Sequence, residues 1–196
     1  METKNIILAG VGGQGTVLIS KILTKGLIEA GYDVKMSEIH GMAQRGGSVQ
    51  TQVRFGDEVV SAVIGHGQAD VLVSFETMEA LRYLNMLKAN GVVITNNVEL
   101  PSAPITAGLA EYPEGILDDV KARAKTYVVP ATEKARELGN EKVMNVILFG
   151  ALAKILNLEG IDWEKLIEGT VKETFTEINK KAFNIGQEFA GGEENA

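Results

Sequence analysis

Apolar and polar positions recur along this chain with two different periods, and each change of period marks an element. Asn5 to Ala9 is a short apolar run closed by glycine, as expected of a strand covered on both faces of a parallel sheet. Val17, Leu18, Ile22, Leu23 and Leu27 then fall at helical spacing, and Gly31 stops that helix. Asp33 to Ser37 reads as a second strand. In Ser48 to Phe55, Val49, Thr51, Val53 and Phe55 share one side while polar residues take the other. Gly56, Asp57 and Glu58 make a turn, and Val59 to Ile64 returns. These two runs predict a β-hairpin with one solvated face.

Asp70 to Phe75 and Val92 to Thr95 are continuous apolar strands, separated by a predicted helix from Thr77 to Ala89 that Asn90 and Gly91 end. Leu100 to Gly115, with three of the four prolines, is a long irregular connection. Ile116 to Ala124 is helical, Thr126 to Val129 is a last strand, and Ala131 to Leu138 is a helix that Gly139 stops. Val143 to Leu158 is apolar almost all round, with only Asn145, Lys154 and Asn157 polar. Such a helix lies at the centre of a core or under a partner. With few long helices to cover it and with Gly150, Ala151 and Ala153 permitting close approach, both modes of burial are expected. Ile161 to Phe189 adds one or two charged amphipathic helices. The fold class is α/β: a mostly parallel Rossmann-like sheet with helices on both faces, a β-hairpin insertion and a helical C-terminal third. Residues 1–190 are expected to form a single domain and residues 191–196 a flexible tail.

The first strand and helix are joined by Gly10, Gly12 and Gly15 in a GxGxxG loop, the context in which that motif cradles a phosphate. Free amides at the start of the helix, aided by its dipole, attract an anion. Gly13 and Gln14 add backbone freedom and a side-chain amide close to that anion, and Thr16 opens the helix. A purely architectural role, a tight turn with close packing, explains the same glycines. Glu38 closes the second strand a little beyond the spacing at which an acid holds a ribose hydroxyl, and also reads as a solvated strand end. Next comes IHGMAQRGGS, Ile39 to Ser48, where Gln44, Arg45, Gly46, Gly47 and Ser48 concentrate polar groups on flexible backbone. Arg45 is suited to a phosphate or carboxylate, and the glycines admit backbone amides to the same anion. Phe75, Glu76 and Asn96 stand at strand ends, where ligand contact and simple capping are both open.

Charge and composition narrow the classes. The formal net charge of −7 disfavours nucleic acid and anionic membranes, although residues 1–56 carry six basic and four acidic side chains and so leave the loop region open to an anion. There is no cysteine, which excludes disulfides, thiolate nucleophiles and iron–sulfur clusters ligated by this chain. Only His40 and His66 supply imidazoles, and no paired metal motif is present, so a metal site is not expected. No apolar run is long enough for a membrane span and the glycines interrupt any leader-like stretch, so a cytoplasmic location is expected. GxSxG and GxxxxGK[ST] motifs are missing, and no catalytic set is evident.

GVGGQGT at Gly10 to Thr16, EIHGMAQRGGSV at Glu38 to Val49 and VMNVILFGALAK at Val143 to Lys154 together resemble the gamma-type subunits of 2-oxoacid:ferredoxin oxidoreductases. HGMAQRGGSV is most similar to the small subunits of the indolepyruvate-oxidising branch. The resemblance spans nearly the whole chain. It implies oxidative decarboxylation of an aryl-pyruvate to an aryl-acetyl-CoA, with two electrons passed to ferredoxin. It also implies that thiamine diphosphate, Mg and [4Fe-4S] clusters sit on a large partner subunit, in agreement with the lack of cysteine, and that coenzyme A is a co-substrate. On that resemblance Gly12, Gly13, Gln14 and Gly15 shape the loop, while Arg45, Gly46, Gly47 and Ser48 face the partner's cofactor region or the coenzyme A path. The isolated chain is then expected to be inactive. Two alternatives remain: a related complex acting on 2-oxoglutarate, pyruvate or a branched-chain 2-oxoacid, and a free-standing dinucleotide-binding protein.

Overall fold

The apolar run, the glycine loop and the first helix form as expected. The computed structural model describes residues 1–41, 46–158 and 160–190; there β1 (Lys4–Val11) runs through the loop into α1 (Thr16–Glu29). β2 (Asp33–His40), β3 (Ser48–Gly56) and β4 (Ala69–Ser74) follow, then α2 (Thr77–Tyr83) and β5 (Leu87–Asn96). The one-turn α3 (Ala103–Thr106) interrupts the proline-rich connection before α4 (Ile116–Arg123), β6 (Lys125–Val129) and α5 (Ala131–Glu137). α6 (Met144–Leu156), α7 (Trp163–Glu168) and α8 (Thr176–Phe189) complete the described chain. The expected tail, residues 191–196, lies outside the described residues.

The six strands form one sheet in the order β2-β3-β1-β4-β5-β6. β1, β4, β5 and β6 are mutually parallel, whereas β3 is antiparallel to both β1 and β2. On one face Ile6, Leu8, Val53, Phe55, Val73 and Ile94 pack against α1 and α5–α8; on the other Ile7, Ala9, Leu72 and Val93 pack against α2 and α4. Each large side chain so buried stabilises the fold by ~1.5–3 kcal/mol relative to exposure. The sheet therefore holds two cores, one per face.

The hairpin differs from the pattern-based expectation. β3 pairs with β2 through the register Asp33↔Gly56 to His40↔Val49, not with Val59 to Ile64, which is not a strand. The backbone of that segment is satisfied by side chains instead. Val59 N donates to Asp33 Oδ2 (2.8 Å), Ile64 N donates to Gln52 Oε1 (2.7 Å), and Arg54 Nη1 donates to the carbonyls of Ser61 (2.9 Å) and Val63 (3.1 Å). The polar side of β3 is accordingly not solvated: Gln50 and Gln52 are 6% and 4% exposed, because β3 is an interior strand.

The second helix is also shorter than its periodicity suggests. It ends at Tyr83, a 3₁₀ turn spans Leu84–Met86, and Leu87 already pairs with Ala69. Asn90 and Gly91 form a bulge before Val92 pairs with Val71. Strand pairing and the burial of Leu87 override local helix propensity here.

The apolar helix α6 is a core helix. All residues from Met144 to Ala153 are buried, chiefly beneath α8, and the crossing is held close by two glycines. A Cβ on Gly150 would stand 2.1 Å from Phe183 O, and one on Gly186 would stand 1.9 Å from Ile147 O. Phe149 completes the contact edge-on to Trp163, with centroids 5.2 Å apart, and tilted against Phe183.

Candidate functional site

The glycine loop sits at the carboxyl ends of the parallel strands, where open α/β sheets meet their ligands. Its glycines serve packing as well as turning. A Cβ on Gly10 would lie 3.0 Å from Phe75 Cβ, and one on Gly15 would lie 2.2 Å from Asn145 Nδ2. Gly15 also caps α1 with a left-handed φ of 84°. The Gln14 amide, expected beside an anion, instead bridges two strand ends: its Oε1 accepts from Val11 N at 2.7 Å and its Nε2 donates to Phe75 O at 2.9 Å. Pinning β1 to β4 fixes the loop's height above the sheet.

The second glycine stretch reaches the first through the backbone. Gly12 N donates to Gly47 O at 2.9 Å, and Gly41 N donates to Ser48 O at 2.8 Å, extending the β2–β3 ladder at its turn end. Gly12, Gly13, Gly15 and Thr16 line a groove of about 530 Å³ with Val17, His40, Gly41 and Val49. Among the described residues, no acceptor takes the amides of Gly13, Gly15, Thr16 or Val17. The start of α1 thus offers amides without a described acceptor beside this groove, the feature by which helix starts attract anions. Gln44 and Arg45 lie outside the described residues; Gly46 and Gly47 follow them directly.

Two other expected contacts are placed elsewhere. Glu38 is on β2, which β3 separates from β1, so it is not beside the glycine loop as in a dinucleotide fold. Its carboxylate accepts from Ser20 Oγ at 3.4 Å and stands 3.6 Å from His40 Nε2. The Ser48 hydroxyl turns to the α2 face, bonded to Glu79 Oε2 and 3.1 Å from Tyr83 Oη. Glu79 in turn accepts from Arg82 Nε at 2.9 Å, a bond that raises the pKa of the guanidinium above its ordinary value. Ser48 therefore anchors the hairpin rather than facing the groove.

At the remaining strand ends, capping accounts for the polar residues. Glu76 accepts from Glu79 N (2.9 Å) at the start of α2, from Leu100 N (3.1 Å) and from the Tyr112 hydroxyl. Burial first, and then that bond to Glu76, push the Tyr112 phenol upward. Asn96 Nδ2 donates to Thr132 Oγ1 (2.8 Å) and Phe75 O (3.3 Å). Phe75, Glu76 and Asn96 are all buried.

A second, larger cavity of about 830 Å³ opens on the other side of the glycine loop, between it, the start of α6 and the start of α8. Gly13, Gln14 and Gly15 form one wall, and Asn145, Lys142 and Lys172 contribute polar groups. The glycine-loop motif supplies one wall, but nothing in it pointed to the helix side. Its one signal in the sequence was Asn145, a polar residue on an otherwise apolar helix face.

The chain has no cysteine, and among the described residues no group of three or more histidines and carboxylates is arranged to hold a metal ion. No helix among them is long and apolar enough to cross a membrane.

Sequence and fold comparisons agree on kinship. The family model for pyruvate ferredoxin/flavodoxin oxidoreductase matches residues 5–189. Indolepyruvate oxidoreductase subunit IorB of Pyrococcus horikoshii is 40% identical over 196 residues, covering 95% of each chain. 2-oxoglutarate synthase subunit KorC of Methanothermobacter thermautotrophicus is 28% identical over 94% of each chain. The gamma subunit of a keto/oxoacid ferredoxin oxidoreductase from Geobacter sulfurreducens PCA superimposes with a TM-score of 0.71 at 25% identity, over 97% of both chains. With matches that run from β1 to the last turn of α8, the chain belongs to the pyruvate ferredoxin/flavodoxin oxidoreductase family.

Proposed function

We propose that this chain is the small, gamma-type subunit of an indolepyruvate:ferredoxin oxidoreductase. The observation that carries this reading is the 40% identity to an indolepyruvate oxidoreductase subunit over 95% of both chains, against 28% to a 2-oxoglutarate synthase subunit. The complex converts an aryl-pyruvate, coenzyme A and two oxidised ferredoxins to aryl-acetyl-CoA, carbon dioxide, a proton and two reduced ferredoxins. A large partner subunit in the cytoplasm holds thiamine diphosphate, Mg and [4Fe-4S] clusters, which supply the decarboxylation and electron transfer.

The residues of this chain position rather than react. Gly13, Gly15 and Thr16, whose amides have no acceptor among the described residues, line the groove, and the Gly12–Gly47 hydrogen bond ties the second glycine stretch to the same loop. Together with Arg45 they offer a surface for an anionic group of coenzyme A or for the partner's cofactor region.

Co-expression with the large subunit, gel filtration and a coenzyme A-dependent indolepyruvate assay with a viologen acceptor test this assignment. Activity is expected only in the co-eluting complex; turnover by this chain alone would overturn the division of labour. A substrate panel on the same complex separates indolepyruvate from 2-oxoglutarate, pyruvate and branched-chain 2-oxoacids. Micromolar NAD binding by the chain without a partner would return the free-standing dinucleotide-binding reading.

A further inference from the structure

We propose that the proline-rich connection between β5 and α4 is a surface by which this chain docks onto its large partner subunit. The partner presents there an apolar pocket rimmed by lysines or arginines. This placement rests on the subunit reading above, whichever 2-oxoacid the complex uses.

The connection is held at both ends by one group. Leu100 N donates to Glu76 Oε1 at 3.1 Å, and the Tyr112 hydroxyl donates to the same oxygen. Tyr112 Oη in turn accepts from Met78 N at 3.0 Å. Glu76 is 1% exposed, so both roots of the loop are fixed on a buried carboxylate where β4 meets α2. No residue from Asn97 to Gly115 is itself buried. Residues 100–110, LPSAPITAGLA, carry no charge, and Leu109 among them is 82% exposed. Pro101, Pro104 and the single turn of α3 restrict the backbone between the two roots. A loop so restrained, with apolar side chains in water, loses little further freedom on contact and has the character of an interaction surface.

Position and charge select the occupant. Val98 and Leu100 line the same cavity as Gly13, Gln14 and Gly15, so the loop stands at the carboxyl end of the parallel strands, where open α/β sheets meet their ligands. Val60 is as exposed, but its segment is tied to Asp33 at the opposite end of the sheet. Glu99, Glu111 and Glu114 flank the uncharged stretch and are in no ion pair among the described residues. No lysine, arginine or histidine occurs from Asn97 to Val120. Two copies of this loop brought together would oppose like charges, so a cationic rim on a different chain is selected.

Binding kinetics of the full chain on the purified large subunit test this. Leu109→Asp should weaken the complex about tenfold or more, whereas Val60→Asp should bind as the wild type does. Glu99→Lys/Glu111→Lys/Glu114→Lys should slow association about tenfold at low salt and remove most of the salt dependence of the wild type. All of these side chains are exposed, so thermal melts of the variants should match the wild type. Amide exchange across residues 101–111 should slow on assembly. Wild-type binding by Leu109→Asp and by the charge-reversed chain, or unchanged exchange in the complex, would reject this surface alone. A wild-type chain that does not bind the large subunit would reject the subunit reading and the surface with it. A dimer of the isolated chain that Leu109→Asp dissociates would give the loop to a second copy and also overturn the proposal.

Discussion

Helices α6 and α8 and the tip of the β2–β3 hairpin flank the same glycine loop, yet they are built on opposite terms. Helix α6 is buried from Met144 to Ala153, crosses α8 at two glycines with no room for a Cβ, and touches the loop through Asn145. The hairpin tip is polar, glycine-rich and reaches the loop through a single described backbone hydrogen bond. Close packing is concentrated on the first side and polar, glycine-rich backbone on the second. The contrast teaches that one loop can be rigidly backed and still present free amides.

The contrast breaks most visibly at the helix crossing. Gly186→Val would drive side-chain atoms into Ile147 O and should cost about 3 kcal/mol or more, a fall in Tm of roughly 6–12 °C. An unchanged Tm in a thermal melt would show that the helices separate easily and that the packed side is not rigid. Next in size is Gln14→Leu, which strands Val11 N and leaves Phe75 O with only its longer bond from Asn96 Nδ2. A loss of about 1–3 kcal/mol in urea titration is expected, with complex activity falling further than stability alone explains.

A smaller effect follows from acid. The Asp33 carboxyl is held below its ordinary value, first by its bond with Lys35 and then by Val59 N. A carboxyl with a lowered folded-state pKa stabilises above its unfolded pKa, and that contribution disappears as pH falls through the lowered folded value. Amide exchange at residues 59–64 should therefore quicken below the usual carboxylate range, and Asp33→Asn should flatten that dependence. Last, Arg45→Ala should leave Tm of the isolated chain unchanged while reducing activity or coenzyme A affinity of the complex by roughly tenfold. A large drop in Tm instead would move Arg45 to the structural side of the comparison.

Much of the architecture could be read from hydrophobic order alone. The buried β1 run, the glycine loop and the all-apolar α6 each have one arrangement that hides their side chains, and each folds that way. The return strand was misread for a physical reason. VVSAVI at 59–64 has the composition of a strand, but Val60 is 91% exposed, and the segment's backbone bonds go to the side chains of Asp33, Gln52 and Arg54 rather than to a strand ladder. Alternation cannot show which strand a neighbour is, so it left open whether Glu38 meets a ribose or ends a solvated strand, and the sheet order sets β3 between it and β1. At the candidate site the glycines were visible, but the inward turn of Gln14 and the bond from Asn145 to Gly15 O depend on contacts across 61 and 130 residues.

The bond from Gly12 N to Gly47 O has one more consequence. It is made of main-chain atoms, so the contact itself does not depend on which side chains the two motifs carry. Side chains around it can change without loss of this bond, as a tool holder keeps its setting when the bit is exchanged, and a scaffold shared by subunits of different 2-oxoacid oxidoreductases would keep its frame.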